Sequence, residues 1–167
     1  MDKLTNQYII DVLMGQFKGN ISVIGEPYGL LTLSASKDCI IELLSYCKQN
    51  ESLGLNYLTD ITAVHYPEQR DCFAVVYHLH NLFQNVRIRI KVFLEAESPN
   101  IPTATSLWKG ANWMERETYD FYGIIFEGHP DLRRILNMDD MEVFPMRKEY
   151  PLEDPNRVDK KDFYFGR

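Results

Sequence analysis

The run VRIRIKVFL at residues 86–94 limits what this chain can become more than any other feature. Val86, Ile88, Ile90 and Val92 alternate with Arg87, Arg89 and Lys91, the period of a strand with one face on a core and the other in water. Two further strand-like runs precede it, YLTDITAVHY (57–66) and CFAVVYHLH (72–80). The segments between them, 67–71 and 81–85, carry Pro67 and Asn81, which suit turns. The basic stripe reads as a solvated face, with a partner-facing patch as the alternative.

Helical spacing appears on either side. Ile9, Ile10, Leu13, Met14 and Phe17 give residues 3–17 an amphipathic stripe that Gly19-Asn20 ends. ISVIG (21–25) and YGLLTLS (28–34) read as strands separated by Glu26-Pro27. Ser36 suits an N-cap, followed by a second stripe of Cys39, Ile40, Leu43, Leu44 and Cys47. Pro99-Asn100-Ile101-Pro102 breaks the sheet, and residues 103–123 read as a helix interrupted near Gly110. Beyond Gly128, the prolines at 130, 145, 151 and 155 interrupt any long element. The expected architecture is α+β: a small αββαβββα domain over residues 1–123, its mixed or antiparallel sheet packed on helices. An extended C-terminal docking segment, 124–167, follows. That segment is rich in apolar residues, among them Ile124, Ile125, Phe126, Leu132, Ile135, Leu136, Phe144, Phe163, Tyr164 and Phe165. Disordered tails are poor in such residues, so they are expected to be buried against another surface.

Charge narrows the partners. The net charge is -6, which argues against non-specific nucleic-acid binding. Residues 133–167 hold eight basic and eight acidic side chains, a neutral mixture suited to docking on protein. No run approaches the roughly 18 apolar residues of a membrane-spanning helix, so no direct membrane span is expected. The start lacks the basic and apolar regions of a signal peptide, which points to the cytosol. Cys39, Cys47 and Cys72 lack the spacing of zinc or iron–sulfur ligands and read as ordinary thiols.

The chemistry-bearing residues concentrate in WMERETYDFYG (113–123) and the turns after it. On a helix, Arg116 and Asp120 are four apart and can pair. Trp113, Glu117 and Asp120 fall on one face. Two carboxylates at Glu117 and Asp120 suit acid–base chemistry or a metal, or ion pairs with Arg133, Arg134 and Arg147 across an interface. No companion ExxH helix accompanies the ExxD pair, which favours the structural reading. His129, between Gly128 and Pro130, can donate a proton, ligate or organise a turn. Arg147-Lys148 can bind a phosphate, but no glycine-rich strand–loop–helix stands beside it.

Taken together, Glu115-Arg116-Glu117, Tyr119-Asp120, Gly123-Ile124, Gly128-His129-Pro130, Leu132-Arg133-Arg134-Ile135 and Pro145-Met146-Arg147-Lys148 resemble the signature of the 30-kDa (C-type) subunit of respiratory complex I. Upstream, Leu58-Thr59-Asp60, Tyr66-Pro67, residues 75–79 and Leu107-Trp108 fit the same pattern. Lys109, His65 and the stretch 142–144 depart from it. The resemblance implies a non-redox peripheral-arm subunit of a proton-pumping NADH–quinone oxidoreductase, in the form not fused to its D-type neighbour. Flavin (FMN), iron–sulfur clusters and quinone are then expected in partner subunits and none in this chain. Its implied partners are the D-type (49-kDa) subunit and the neighbouring B- and I-type iron–sulfur subunits, on the cytoplasmic side of the bacterial inner membrane. Glu115, Arg116, Glu117, Asp120, His129, Arg133, Arg134, Arg147 and Lys148 become candidate interface residues. Two other readings stay open: the homologous subunit of a ferredoxin-dependent quinone oxidoreductase or membrane-bound hydrogenase, and an independent carboxylate or metal hydrolase.

Overall fold

A computed structural model describes residues 3–150. Helix α1 (Asn6–Gln16) is capped by Thr5, whose side chain accepts from the Tyr8 amide, and it buries Ile9 and Leu13. Strands β1 (Ile21–Gly25) and β2 (Leu31–Ala35) form an antiparallel pair. A single 3-10 turn, capped by Ser36, leads into α2 (Ile40–Gln49), which buries Ile40, Leu43, Leu44 and Cys47. Then come β3 (Tyr57–His65), β4 (Phe73–Asn81) and β5 (Val86–Leu94).

The sheet runs β1-β2-β5-β4-β3. The chain leaves β2 through α2, lays β3 at the far edge and returns through β4. It then inserts β5 beside β2, in the one parallel pairing of this mixed sheet. Ile88, Ile90 and Val92 are fully buried in a single core with residues of all three helices, while Arg87 lies exposed on the other face. The alternation at 86–94 therefore sorts one face to the core and one to water.

Two expectations need correction. Residues 99–102 leave the main sheet as expected, but Asn100–Pro102 forms a short strand, β6. It pairs in parallel with β7 (Ile125–Glu127), so the expected order gains two strands. The helix expected over 103–123 begins only at Ala111: α3 is Ala111–Tyr122. Upstream, the chain is held in turns. Lys48 Nζ donates to the Leu107 carbonyl, Trp108 Nε1 donates to Asn56 O at 2.8 Å, and Glu115 captures the Ala104 amide. These non-local bonds outweigh helical propensity.

The core also continues past residue 123. Ile124 is fully buried, Phe126 is nearly so, and Leu132 packs against the same cluster. Residues 124–150, expected to seek another surface, thus bury part of their apolar content on their own domain. Leu136 and Met138 stay 64% and 71% exposed. Phe163, Tyr164 and Phe165 lie outside the described residues.

Candidate functional site

Helix α3 ends at Gly123, whose φ of 73° is the left-handed conformation glycine adopts without strain; its amide closes on the Tyr119 carbonyl. A helix C-terminus exposes unsatisfied carbonyls and the negative end of its dipole. Here two arginines from the following segment fill that role. Arg134 Nη1 donates to the Asp120 carbonyl at 3.0 Å, and Arg147 Nε donates to the Tyr122 carbonyl at 2.7 Å. The Met146 amide takes the Phe121 carbonyl at 3.2 Å.

Asp120 is the centre of this brace. Its Oδ1 accepts from Arg134 Nη1 at 2.8 Å, in an ion pair whose side chains are 8% and 0% exposed. Its Oδ2 accepts from the amides of Ile135, Leu136 and Asn137 at 3.1, 2.8 and 2.9 Å. Burial alone would raise this carboxyl; the Asn137 amide, Arg134 and the Leu136 amide outweigh it and hold the group well below the usual carboxylate range. Both terminal nitrogens of Arg134 are engaged in turn, with Nη2 donating to Met141 O at 2.5 Å and Val143 O at 3.1 Å. The pair is internal to the chain, and its hydrogen-bonding capacity is largely filled.

Arg116 does not pair with Asp120, although the spacing allowed it. Its Nε and Nη2 donate to the carbonyls of Arg133 and Arg134 at 3.1 and 2.8 Å, and its guanidinium lies over Trp113. Helix α3 therefore grips residues 133–137 twice, through Arg116 on their carbonyls and Asp120 on their amides. Arg147 is sandwiched between the rings of Phe73 and Phe144, 5.0 and 4.8 Å from their centres. The Lys148 amide donates to His65 Nδ1 at 3.0 Å, and His65 stacks on Phe73. Burial keeps that imidazole below its ordinary pKa, so the neutral, accepting form is favoured.

Glu115 faces the other way. Fully buried, it accepts from Thr103 Oγ1 at 2.5 Å and the Ala104 amide at 2.6 Å, which ties α3 to the end of β6. Burial raises its carboxyl to about 7 against the lowering effect of those two bonds. The buried Tyr77 hydroxyl has no hydrogen-bond partner among the described residues. Burial, and secondarily the charge of Glu115, raises that phenol well above its ordinary value.

His129 organises its turn. Its Nδ1 accepts from the Asp131 amide at 3.0 Å, which leaves Nε2 to donate to Asn112 O at 3.1 Å. The expected carboxylate pair separates, with Glu117 exposed and Asp120 buried. Of the ion pairs expected between Glu117 or Asp120 and Arg133, Arg134 or Arg147, the described residues form Asp120–Arg134, and form it within the chain. The Arg133 side chain pairs at the surface with Asp131 at 2.9 Å, and Lys148 is exposed. Among the described residues, no group of three or more His, Cys, Asp or Glu side chains is placed to hold a metal. Cys39, Cys47 and Cys72 are buried free thiols, and burial pushes Cys47 up to about 12. Sequence reasoning gave no role to Phe144, Phe73 or Thr103. Phe144 figured there only among the apolar residues expected to be buried and in the stretch 142–144 that departs from the family pattern.

Residues 33–156 match the family described as respiratory-chain NADH dehydrogenase, 30 Kd subunit. The chain is 42% identical over 144 residues to a C-type subunit of the NADH-quinone oxidoreductase of Rhizobium meliloti, covering 86% of this chain and 78% of the relative. Against the corresponding C-type NADH-quinone oxidoreductase subunit of Geobacter metallireducens the identity is 39% over 154 residues, covering 92% and 93%. Among solved structures, the trypsin-resistant fragment (1-134) of Nqo5 superposes with a TM-score of 0.65 at 31% identity, covering 75% of this chain and 98% of the fragment. A chain of the membrane-bound sulfane sulfur reductase, an archaeal respiratory membrane complex, gives 0.74 at 23% identity over 87% and 85%, a likeness of fold alone. No helix among the described residues is long and apolar enough to cross a membrane. The chain belongs to the 30-kDa subunit family of the respiratory-chain NADH dehydrogenase, complex I, an oxidoreductase whose other subunits are its partners.

Proposed function

We propose that this chain is a non-redox scaffold of the peripheral arm, docking the D-type (49-kDa) subunit and the neighbouring B- and I-type iron–sulfur subunits so that electrons pass from NADH to quinone. Flavin, clusters and quinone reside in other subunits of the complex, and the complex sits with this arm on the cytoplasmic side of the bacterial inner membrane. The observation that carries this reading is the use made of the α3 charges. Asp120, Arg116 and Arg134 hold residues 133–143 in one conformation through buried, nearly saturated bonds, which suits a brace and leaves Asp120 poorly placed to accept a proton or bind a metal. The brace presents exposed Trp113, Leu136, Met138 and Met146, together with the exposed charges of Glu117 and Arg133. Apolar anchors rimmed by charge fit a protein interface.

Affinity purification through this chain, with mass-spectrometric identification of what accompanies it, tests the reading. The D-, B- and I-type subunits should co-purify in stoichiometric amounts, and the chain produced alone should lack flavin and iron–sulfur absorption. A stoichiometric flavin or cluster band in the isolated chain overturns the proposal.

A further inference from the structure

The end of the main sheet where the β1–β2 turn and the β4–β5 hairpin meet carries a second exposed surface, which the α3 brace does not use. The two turns are brought together because β2 and β5 run parallel, with Leu31 opposite Ile88. Tyr28 sits in the first turn at φ 57°, a left-handed conformation that glycine or asparagine adopts readily and a bulky residue rarely does. Its ring is fully exposed, at 107%. At the tip of the hairpin Phe83 is 92% exposed, beside Leu82 at 56%. Neither turn gains stability from these rings, and a solvated turn is better served by polar residues. Strain retained at an exposed aromatic is a reason to look for a function there.

Between the turns lies an open groove of about 540 Å³, lined by Pro27, Tyr28, Leu30, Asn85, Arg87 and Arg89 with no acidic side chain among the described residues. Arg87 is exposed. Arg89 is oriented from behind: its Nε donates to His78 Nε2 at 2.9 Å, and His78 Nδ1 faces Asp60 at 3.7 Å. A chain of net charge -6 thus places two guanidinium groups in one groove with the exposed Tyr28, on the strand that follows the hairpin bearing Phe83. Arginine flanked by aromatics is the composition of protein-docking surfaces. The positive groove selects the sign of what docks.

We propose that this groove is a second protein-docking site, which takes an acidic segment of a neighbouring subunit, its carboxylates on Arg87 and Arg89 and an apolar side chain against Tyr28, the segment passing the exposed hairpin tip at Phe83. This rests on the chain working inside an assembly of several subunits, and it lies apart from the α3 surface assigned above.

Replacing Phe83 with the photo-crosslinking residue p-benzoylphenylalanine in the assembled complex tests it, with the exposed Glu97 position as control. Irradiation should join residue 83, and not residue 97, to one other subunit, at a peptide carrying at least two acidic residues. Arg87→Glu should lower retention of the chain on that subunit by about tenfold or more at physiological salt, while the melting temperature of the isolated chain is unchanged. A complex that co-purifies intact but yields no adduct at residue 83 overturns the inference and leaves the scaffold reading standing. An adduct to lipid, to nucleic acid or to a second copy of this chain also overturns it, as does unchanged retention of Arg87→Glu.

Discussion

Asp120→Ala is the substitution from which the brace predicts most. It removes the counter-charge of Arg134, whose side chain is 8% exposed, and the acceptor for the amides of Ile135, Leu136 and Asn137. Breaking a buried ion pair from one side typically costs about 3–5 kcal/mol, because the surviving charge remains desolvated. The backbone acceptors of Arg134 at Asp120, Met141 and Val143 hold its position but do not replace the charge. At about 1.4 kcal/mol per decade, that loss is an increase of about 100-fold or more in opening of residues 133–143. Amide hydrogen exchange read by mass spectrometry on the isolated chain is the assay. Peptides covering 135–137 should lose protection by that factor, while those from β4 and β5 change far less. Asp120→Asn, which keeps an acceptor oxygen and loses the charge, should fall between the two. Exchange in 135–137 within threefold of wild type in Asp120→Ala would refute the reasoning, since those amides would then owe their protection to something else.

Other predictions follow from the same geometry. Glu115 is raised from 4.5 to about 7, so the folded chain holds a proton that the unfolded chain releases, and stability should fall as pH rises across that interval. The drop is about 3 kcal/mol, and Glu115→Gln should flatten it in urea melts run at several pH values. Asp120 has the opposite sign: its stabilisation is complete above about pH 4 and is lost on further acidification, so Asp120→Asn should weaken acid unfolding below that point. At Gly123 an added Cβ would lie 2.5 Å from the Phe144 ring and 2.7 Å from Arg147 Nη2, at φ 73°. Gly123→Ala should therefore destabilise by more than the roughly 1 kcal/mol of the backbone term alone, read as a lower midpoint of chemical unfolding. Arg147→Ala removes the guanidinium between Phe73 and Phe144 and should speed proteolytic cleavage after residue 140 without lowering the global midpoint by a comparable amount.

What could be read in advance follows from the range of the interactions. Strand β5 announced itself because its alternation is local, and α1 and α2 because their apolar residues recur within one helix turn. Strands β6 and β7 carry three residues each and meet across 25 positions, too short for any period. Residues 103–110 looked helical until Glu115, Lys48 and Trp108 drew them into turns. Residues 133–147 owe their conformation largely to side-chain bonds with α3, which no local pattern encodes. The clustering of charges on α3 was legible in the sequence. It offered both Arg116 and Arg134 as partners of Asp120 without choosing between them, since that choice depends on how residues 133–137 return to the helix end.

The ratio of quinone reductase activity to assembled complex tests the central claim most directly. Native-gel quantification beside the activity assay, for Glu117→Ala, Arg133→Ala and Asp120→Asn in the full complex, supplies that ratio. If these charges brace and dock, assembly and activity should fall together, and activity per assembled complex should stay within about twofold of wild type. A fully assembled complex whose turnover drops by about 100-fold, the scale of a lost general acid or base, contradicts the account.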